Sequence, residues 1–451
     1  MRPARAAAVI PRGLAFALLG IATLHVALQL LTAIPSPALP SSVRAAPRLV
    51  VDSDGTRRVG RSWARRHRGI HQVLLDGDAA QIGHAHSTLL HDEMVATERA
   101  VWELSRRLIP VRAARVLLMD LSRVRYRNLD SSLGYARRAE LAAQARAFAP
   151  DPFANELPTY HRLVFLNALY DMSLSFEHSP LIGCSSVVFD TTRTRDGHAL
   201  LARNFDFEVH EVFDRRKAVV LFRENGKLPV LSVAWPGLSG LVTGINSVGV
   251  AAVVHGARAG TPSAKGEPVL VTMREALAHA LTLDAAVAWI RARDPMVSHM
   301  IMLADAHGRG AVIERVPGLA AFVRYAPGSF ALSNHLEGPS ASDPANQRVR
   351  AITSTLARRA RMDELLGTLT RDVTPGDAIG LLRDRRAVGG EKLPDGDRQA
   401  IDADIATHGV VMDLTARRIW VSEGPHLQGV FVGFDLQRWL ASPQQPAAGA
   451  L

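Results

Sequence analysis

The single cysteine of the chain, Cys184, lies in a stretch whose residue types could support nucleophilic chemistry. Arg203 and Asp206 follow it further along the chain. A thiol is only slightly ionised near neutral pH, and a guanidinium beside it favours the thiolate. A carboxylate close by can hold a protonated amine. From residue types alone a lone cysteine is more often a buried structural residue, and Arg203 and Asp206 favour the alternative of a cysteine nucleophile.

A β-hairpin is predicted to bring these three residues together. The runs SSVVFDTT and HALLARNFDFE have the alternation of strands, and Arg195-Asp196-Gly197 between them is typical of a turn. A hairpin that turns at this point carries Arg203 and Asp206 back towards the Cys184 end of the first strand.

The elements around the hairpin follow a layered pattern. Residues 78–175 have the three- and four-residue apolar spacing of helices, and the period changes to two after Ser179-Pro180. Strands, two helices, further strands and further helices follow, with one helix expected over residues 346–366. This order predicts an α+β fold with αββα layers, and it argues against a regular βαβ repeat.

The N-terminus is predicted to be a targeting segment. Arg2, Arg5 and Arg12 precede an uncharged stretch, residues 13–34, that is long enough to span a bilayer. A proline-rich linker follows, and Val43-Arg44-Ala45 offers a weak cleavage signal. We expect an exported protein that is either anchored in a membrane or released as a secreted or periplasmic protein. The arginines of residues 57–68 could contact anionic headgroups or form a solvated loop.

Composition narrows the class of protein. The 451 residues are 47% hydrophobic and 21% charged, with a mean hydropathy of +0.06, which excludes extensive disorder and a multi-span membrane protein. The formal net charge is +10. Because the arginines alternate with acidic residues and no basic run is interleaved with aromatics, no nucleic-acid partner is expected. One cysteine permits neither an intramolecular disulfide nor a multi-cysteine zinc site.

A second group of residues could in principle bind a metal. His84, His86 and His91 stand close to Asp92 and Glu93. On a helix, however, His84 and His91 share a face while His86 points away, and no His-Glu-x-x-His pattern is present. A solvated polar face is the preferred interpretation, a metal-dependent hydrolase is the third alternative, and no cofactor or metal is expected.

The stretch IGCSSVVFDTTRTRDGHALLARNFDFE resembles the catalytic opening of the N-terminal-nucleophile cysteine amidohydrolases. This group includes acyl-coenzyme A:isopenicillin N acyltransferases, acid ceramidase, N-acylethanolamine amidases, and penicillin V and bile-salt acylases. Its members share a cysteine at the start of a strand, a turn often written Asp-Gly, and then Arg-Asn-x-Asp. Similar segments follow in the same order over residues 70–437: Thr243-Gly244-Ile245-Asn246 with Gly249, Met302-Leu303-Ala304-Asp305 with Ile313-Glu314, Leu332-Ser333-Asn334-His335, Gln347-Arg348-Val349-Arg350-Ala351, and GVVMDLTARRIWVSEGP.

The resemblance implies a role for each matching residue. The bile-salt branch of the group has an asparagine as a second oxyanion donor. The corresponding position in this chain is His255-Gly256, where only a backbone amide could serve as the donor. The implied roles are a nucleophile at Cys184 with its own α-amine as base after cleavage between Gly183 and Cys184, Arg203 beside the thiol and the acyl carbonyl, Asp206 orienting the α-ammonium, Asn334 donating to the oxyanion, and Arg348 bracing the acidic group.

The resulting hypothesis is a self-processing amidohydrolase made as a zymogen. Residues 1–45 would be the signal or anchor with its linker, residues 46–183 a mostly helical prosegment, and residues 184–451 the αββα catalytic chain. The resemblance implies cleavage of small N-acyl amides, with lipid-like acyl chains, through a thioester acyl-enzyme. Acyl transfer to an amine at the same site and a membrane-anchored, non-catalytic binding protein remain the alternatives. Any membrane association would come through residues 13–34.

Overall fold

Two β-sheets pack face to face at the centre of the molecule, and helices cover both outer faces. The computed structural model describes residues 12–43, 47–175, 182–207, 211–443 and 447–451. Alternate side chains of each strand point to opposite faces, so Leu201 and Met412 of one sheet share a buried cluster with Leu221 and Met302 of the other. The structure thus has the layered α+β arrangement that the sequence pattern predicts.

Among the residues that the structure describes, the larger sheet has eleven strands and the smaller sheet has seven. In chain order the strands are β1 (Val50–Val51), β2 (Arg57–Val59), β3 (Ser62–His67), β4 (Ile70–Gly77), β5 (Ile182–Phe189), β6 (Leu200–Phe207), β7 (Ala218–Glu224), β8 (Val230–Ala234), β9 (Thr243–Asn246), β10 (Ala251–Gly256), β11 (His299–Ala304), β12 (Gly310–Arg315), β13 (Phe322–Ala326), β14 (Phe330–Leu332), β15 (Ala406–Asp413), β16 (Arg418–Ser422), β17 (Phe431–Asp435) and β18 (Ala447–Ala448). The larger sheet has the order β1-β2-β3-β4-β7-β8-β9-β10-β11-β12-β13, and the smaller has the order β14-β5-β6-β15-β16-β17-β18. The β4–β7 pair is parallel.

Helices from before and after residue 184 cover the larger sheet, and later helices cover the smaller one. They are α1 (Arg12–Leu31), α2 (Ala79–Leu108), α3 (Arg112–Arg125), α4 (Tyr135–Ala147), α5 (Thr159–Asn167), α6 (Leu169–Leu174), α7 (Val212–Arg215), α8 (Val269–His279), α9 (Leu283–Arg291), α10 (Pro344–Ile352), α11 (Thr355–Thr368), α12 (Pro375–Leu382) and α13 (Leu436–Ala441). The prediction of a single helix over residues 346–366 is wrong, because two helices, α10 and α11, cover this range. Thr353 is extended and its hydroxyl donates to the Val349 carbonyl, which ends α10 before α11 begins.

Residues 46–183 are less helical than predicted, because residues 50–77 supply four strands to the larger sheet. β4 is buried along its whole length and pairs with β7. The six arginines expected in a solvated loop or against headgroups lie on these strands or beside them, and four of them form ion pairs. Arg57 Nη2 is 2.8 Å from Glu93 Oε1, and Arg61 Nη2 is 3.0 Å from Asp76 Oδ1. The strands at this edge of the sheet were not predicted, because frequent charged residues obscure the alternation of apolar and polar residues there.

Two helices, α2 and α4, cross at very close range at Gly83. A Cβ atom at this position would lie 2.0 Å from the carbonyl oxygen of Glu140. Gly83→Ala should therefore lower the free energy of unfolding by about 1–3 kcal/mol, since backbone would have to separate from backbone. Thermal unfolding should show a lower Tm for this variant. Gly367→Ala is the matched control, because a Cβ there meets nothing within 4 Å, and an equal Tm for both variants would contradict the prediction.

The apolar N-terminal stretch forms α1, which packs against the body of the protein. His25 Nδ1 lies 2.7 Å from Asp120 Oδ2 of α3, and the backbone N–H of Ile34 donates to His161 Nδ1 at 3.5 Å. Within the described part of the chain, no helix has the length and apolar character needed to cross a bilayer. Arg2 and Arg5, and the Arg44-Ala45 part of the weak cleavage signal, lie outside the described residues.

Candidate active site

Cys184 lies on the face of β5 that points between the two sheets, and its side chain is fully buried. The predicted hairpin is present: β5 and β6 pair in antiparallel, with Cys184 opposite Phe205 and Ser186 opposite Arg203. Directly opposed residues share a face of the sheet. This register brings the Arg203 side chain to the same side of the hairpin as the thiol.

The guanidinium of Arg203 joins the thiol to the larger sheet. Its Nη2 donates to Cys184 Sγ at 3.1 Å and to the Val254 carbonyl at 2.6 Å, while Nη1 donates to Thr243 Oγ1 at 2.9 Å and to the Val242 carbonyl. Burial raises the pKa of the Cys184 thiol, and the positive charge of Arg203 acts in the opposite direction. The contact therefore favours the thiolate at a site that otherwise disfavours it.

Asn334, just after β14, holds the backbone nitrogen of Cys184. Its Oδ1 accepts from the Cys184 N–H at 2.8 Å, and its Nδ2 donates to the Gly256 carbonyl at 3.1 Å. Arg358 of α11 donates to the same Oδ1 at 3.0 Å. In the continuous chain this nitrogen is an amide, and after cleavage before Cys184 it would be the α-amine.

Asp206 lies against the peptide bond that precedes Cys184. It opposes Gly183 in the hairpin, and a Cβ at Gly183 would lie 3.2 Å from Asp206 Oδ2. Burial raises the pKa of the Asp206 carboxyl, and Arg358, Arg398 and Arg203 act against this shift. Among the described residues, its buried Oδ1 has no hydrogen-bond partner. Asp206 is therefore a buried carboxyl group with a raised pKa and a free acceptor atom, next to the residue that precedes Cys184.

The arginine that reaches the cluster from the late helices is Arg358, whereas the sequence predicted Arg348. Arg348 is exposed on α10. Arg358 is buried, and its Nη1 donates to the Cys184 carbonyl and to Ser185 Oγ at 2.9 Å. The helical phase was an available signal, because Arg358 shares a face with the buried residues Thr355 and Met362.

Two buried histidines support the cluster, and the sequence did not point to them as supports. Since His255 Nδ1 faces the Ser333 carbonyl at 3.1 Å, its Nε2 accepts from Ser186 Oγ at 2.8 Å. His408 Nε2 lies 3.0 Å from the Thr243 hydroxyl that also binds Arg203. Burial lowers the pKa of both histidines well below the usual range, so both imidazoles are neutral and hold their neighbours in place.

The histidines of α2 are arranged differently from the solvated face that was preferred. His86 is fully buried and its Nε2 accepts from the Gly237 N–H at 3.0 Å, so it packs α2 against the catalytic region. His91 Nε2 lies 2.9 Å from the Pro150 carbonyl. Across the described ranges, no group of three or more His, Cys, Asp and Glu side chains has the arrangement of a metal site.

An apolar cavity of about 1020 Å³ lies between α1, α2, α3 and α6. Phe207 and Phe213 are part of its wall. The ring centroids of Phe205 and Phe207 are 5.9 Å apart, and those of Phe207 and Phe213 are 5.6 Å apart. Because Phe205 stands directly opposite Cys184, this row of aromatic rings runs from the thiol to the cavity.

Comparisons with known proteins identify a family. Residues 192–420, about half of the chain, match the sequence model of the family described as acyl-coenzyme A:6-aminopenicillanic acid acyl-transferase. Among curated proteins, none matches the chain by sequence.

Several solved structures match part of the chain. An N-acylethanolamine-hydrolyzing acid amidase ortholog of Caenorhabditis elegans is 18% identical, with a TM-score of 0.39, over 51% of this chain and 93% of its own. Penicillin V acylase from Agrobacterium tumefaciens is 14% identical, with a TM-score of 0.40, over 59% of this chain and 91% of its own. A conjugated bile acid hydrolase from Clostridium perfringens is 12% identical, with a TM-score of 0.36, over 56% of this chain and 93% of its own.

Proposed function

Because the chain belongs to the acyl-coenzyme A:6-aminopenicillanic acid acyl-transferase family, we propose that it is a self-processing cysteine amidohydrolase that cleaves N-acyl amides. The observation that carries the proposal is the 3.1 Å contact between Arg203 Nη2 and Cys184 Sγ. The backbone nitrogen of the same cysteine is held by Asn334 at 2.8 Å. The thiol of Cys184, the guanidinium of Arg203 and the nitrogen that would become the α-amine of Cys184 therefore lie together.

Maturation would begin within the chain. Cys184 Sγ attacks the Gly183 carbonyl carbon, the Gly183–Cys184 C–N bond breaks, and the thiol proton passes to the departing nitrogen. We assign the relay of that proton to Asp206, and the closeness of its carboxyl group to Gly183 supports this role. Water then hydrolyses the thioester, which frees the Gly183 carboxylate and restores the thiol beside a new α-amine.

Turnover would repeat the same chemistry on a substrate amide. The α-amine of Cys184 takes the thiol proton, and the thiolate attacks the substrate carbonyl. Arg203 stabilises the sulfur, and the Asn334 side-chain amide donates to the oxyanion. The proton goes to the leaving amine, and water releases the acyl group from the thioester.

The aromatic row and the cavity support a hydrocarbon acyl group. A saturated chain that runs past Phe205 and Phe207 would be buried in an apolar wall. Each further methylene should raise kcat/KM by up to about fourfold, equivalent to about 0.8 kcal/mol, until the space is filled. A series of N-acyl amides of increasing chain length, assayed with the purified protein, measures this and tests the proposed activity.

The headgroup should be kept constant through that series, so that the acyl chain alone changes. Cys184→Ala supplies the blank for hydrolysis that does not pass through the site. A kcat/KM that stays flat from short to long acyl chains would contradict a hydrocarbon site, and no release above the blank for any amide would contradict the amidase.

Acyl transfer is a second candidate, favoured by the description of the family that the chain matches. The same thioester would then be attacked by an amine in place of water, and Cys184, Arg203 and Asn334 would keep their roles. The ratio of free acid to new amide, with an acceptor amine present in the same assay, separates the two reactions.

A further inference from the structure

We propose that α1, α3 and the C-terminal end of α2 form a face that docks on an anionic lipid bilayer. We call it the docking face and define it by residues 16–31 and 105–127. Docking of this face on a bilayer is independent of the proposed function, whereas uptake of acyl amides from the bilayer rests on the proposed function.

Large apolar side chains project from this face into solvent. On α3, Leu117 is 61% exposed and Leu121 is 57% exposed, one helical turn apart. On α1, Leu24 is 60% exposed and Leu30 is 75% exposed. Exposed apolar side chains that cluster on adjacent elements mark an interaction surface. The remaining large apolar side chains that are exposed here are Phe16, Leu19, Ile21, Val26, Leu31, Leu108, Val111, Val116 and Val124.

The two helices are fastened together with their polar groups inward. His25 of α1 lies 2.7 Å from Asp120 of α3, and Gln29 Nε2 lies 2.7 Å from the other ring nitrogen of His25. Asp120 and Arg123 are buried. His25 and Gln29 therefore hold α1 to the body while its large apolar side chains remain exposed, and α3 has the amphipathic character of a helix that lies in a membrane interface.

The charge of the face points to an anionic surface. Residues 109–128 contain five arginines and one acidic residue, Asp120, which pairs with His25. Arg112 and Arg127 are exposed beside the apolar side chains of α3. Apolar side chains flanked by arginine match a bilayer with anionic headgroups, where each arginine near the surface contributes about 1 kcal/mol.

The cavity shares its walls with this face. His25 and Gln29 of α1, Arg112 and Arg115 of α3, and Arg106 of α2 all line it. A lipid-like acyl chain that leaves a bilayer at the docking face would therefore meet the same helices that enclose the space leading to Phe207. This places docking and uptake on one side of the molecule.

Binding to vesicles tests the proposal, with full-length Cys184→Ala protein so that turnover plays no part. Co-sedimentation should show binding to phosphatidylglycerol vesicles and much weaker binding to phosphatidylcholine. Leu117→Asp with Leu121→Asp should weaken binding at least about tenfold, since two leucines leave the apolar layer. Arg112→Gln and Arg127→Gln should each weaken it about fivefold at low salt.

Matched controls come from exposed apolar residues elsewhere. Leu319→Asp and Val388→Asp, at positions 58% and 54% exposed, should leave vesicle binding unchanged. The leucine variants, placed in the active background, should still hydrolyse a soluble short-chain amide, which shows that they fold. If that amide is not hydrolysed by any active-background protein while vesicle binding persists, the docking stands and the proposed function falls.

Two outcomes would overturn the docking face. The first is equal binding, or none, to phosphatidylglycerol and phosphatidylcholine vesicles. The second is a concentration-dependent dimer in analytical ultracentrifugation that the leucine variants abolish while vesicle binding is absent, since the face would then pair with a second copy of the chain.

Discussion

Replacing Cys184 with alanine should leave the chain in one piece and reduce amide hydrolysis to the background. Sγ accepts from Arg203 and faces the Val254 carbonyl at 3.7 Å, and no imidazole of the described residues contacts it. A thiol in this setting needs another base, and its own α-amine exists only after the Gly183–Cys184 bond has broken. The wild-type protein should therefore separate into two pieces, the larger of which begins at Cys184.

Intact mass and N-terminal sequencing of both purified proteins measure the effect. Ser186→Ala is the matched control, because its hydroxyl lies on the same face of β5 but bonds to His255 and has no role in the proposed chemistry. That variant should still be cut at the same bond. Full activity of wild type as a single uncut polypeptide would show that the N-terminal-nucleophile mechanism is wrong for this protein.

Asn334→Ala should lower kcat by about 10²- to 10³-fold, the usual effect of removing one oxyanion donor. The same change removes the acceptor that holds the Cys184 N–H at 2.8 Å, so cleavage before Cys184 should also slow. Single-turnover processing rates and steady-state kinetics on a soluble amide measure the two effects separately.

Asn334→Asp separates the two functions of this side chain. Asp keeps an oxygen for the Cys184 N–H and for Arg358, and loses the donor that now binds the Gly256 carbonyl. Processing should then approach the wild-type rate while kcat remains low. A kcat within a factor of about three of wild type for both variants would remove Asn334 from the oxyanion site, because a donor of this kind supplies far more than that.

The sequence by itself determined the local geometry of the candidate nucleophile. Alternation with a period of two and the turn at Asp196-Gly197 predicted the hairpin, and its register places Arg203 and Asp206 beside Cys184 and Gly183. These relations are local, because a strand's pleat and a short turn are set by neighbouring residues. The segment around Asn334 was identified by resemblance, and the structure brings it to the Cys184 nitrogen.

The tertiary structure alone decided which distant groups complete the cluster. Arg358 reaches Cys184 because α11, which begins after the break at Thr353, packs against β5 and β14, whereas Arg348 lies exposed on α10. β4 joins the larger sheet through a parallel pair with β7, and His86 is buried against Gly237. Each of these contacts links residues far apart in the chain. Their geometry follows from how helices and sheets pack, which the spacing of residues within one element does not specify.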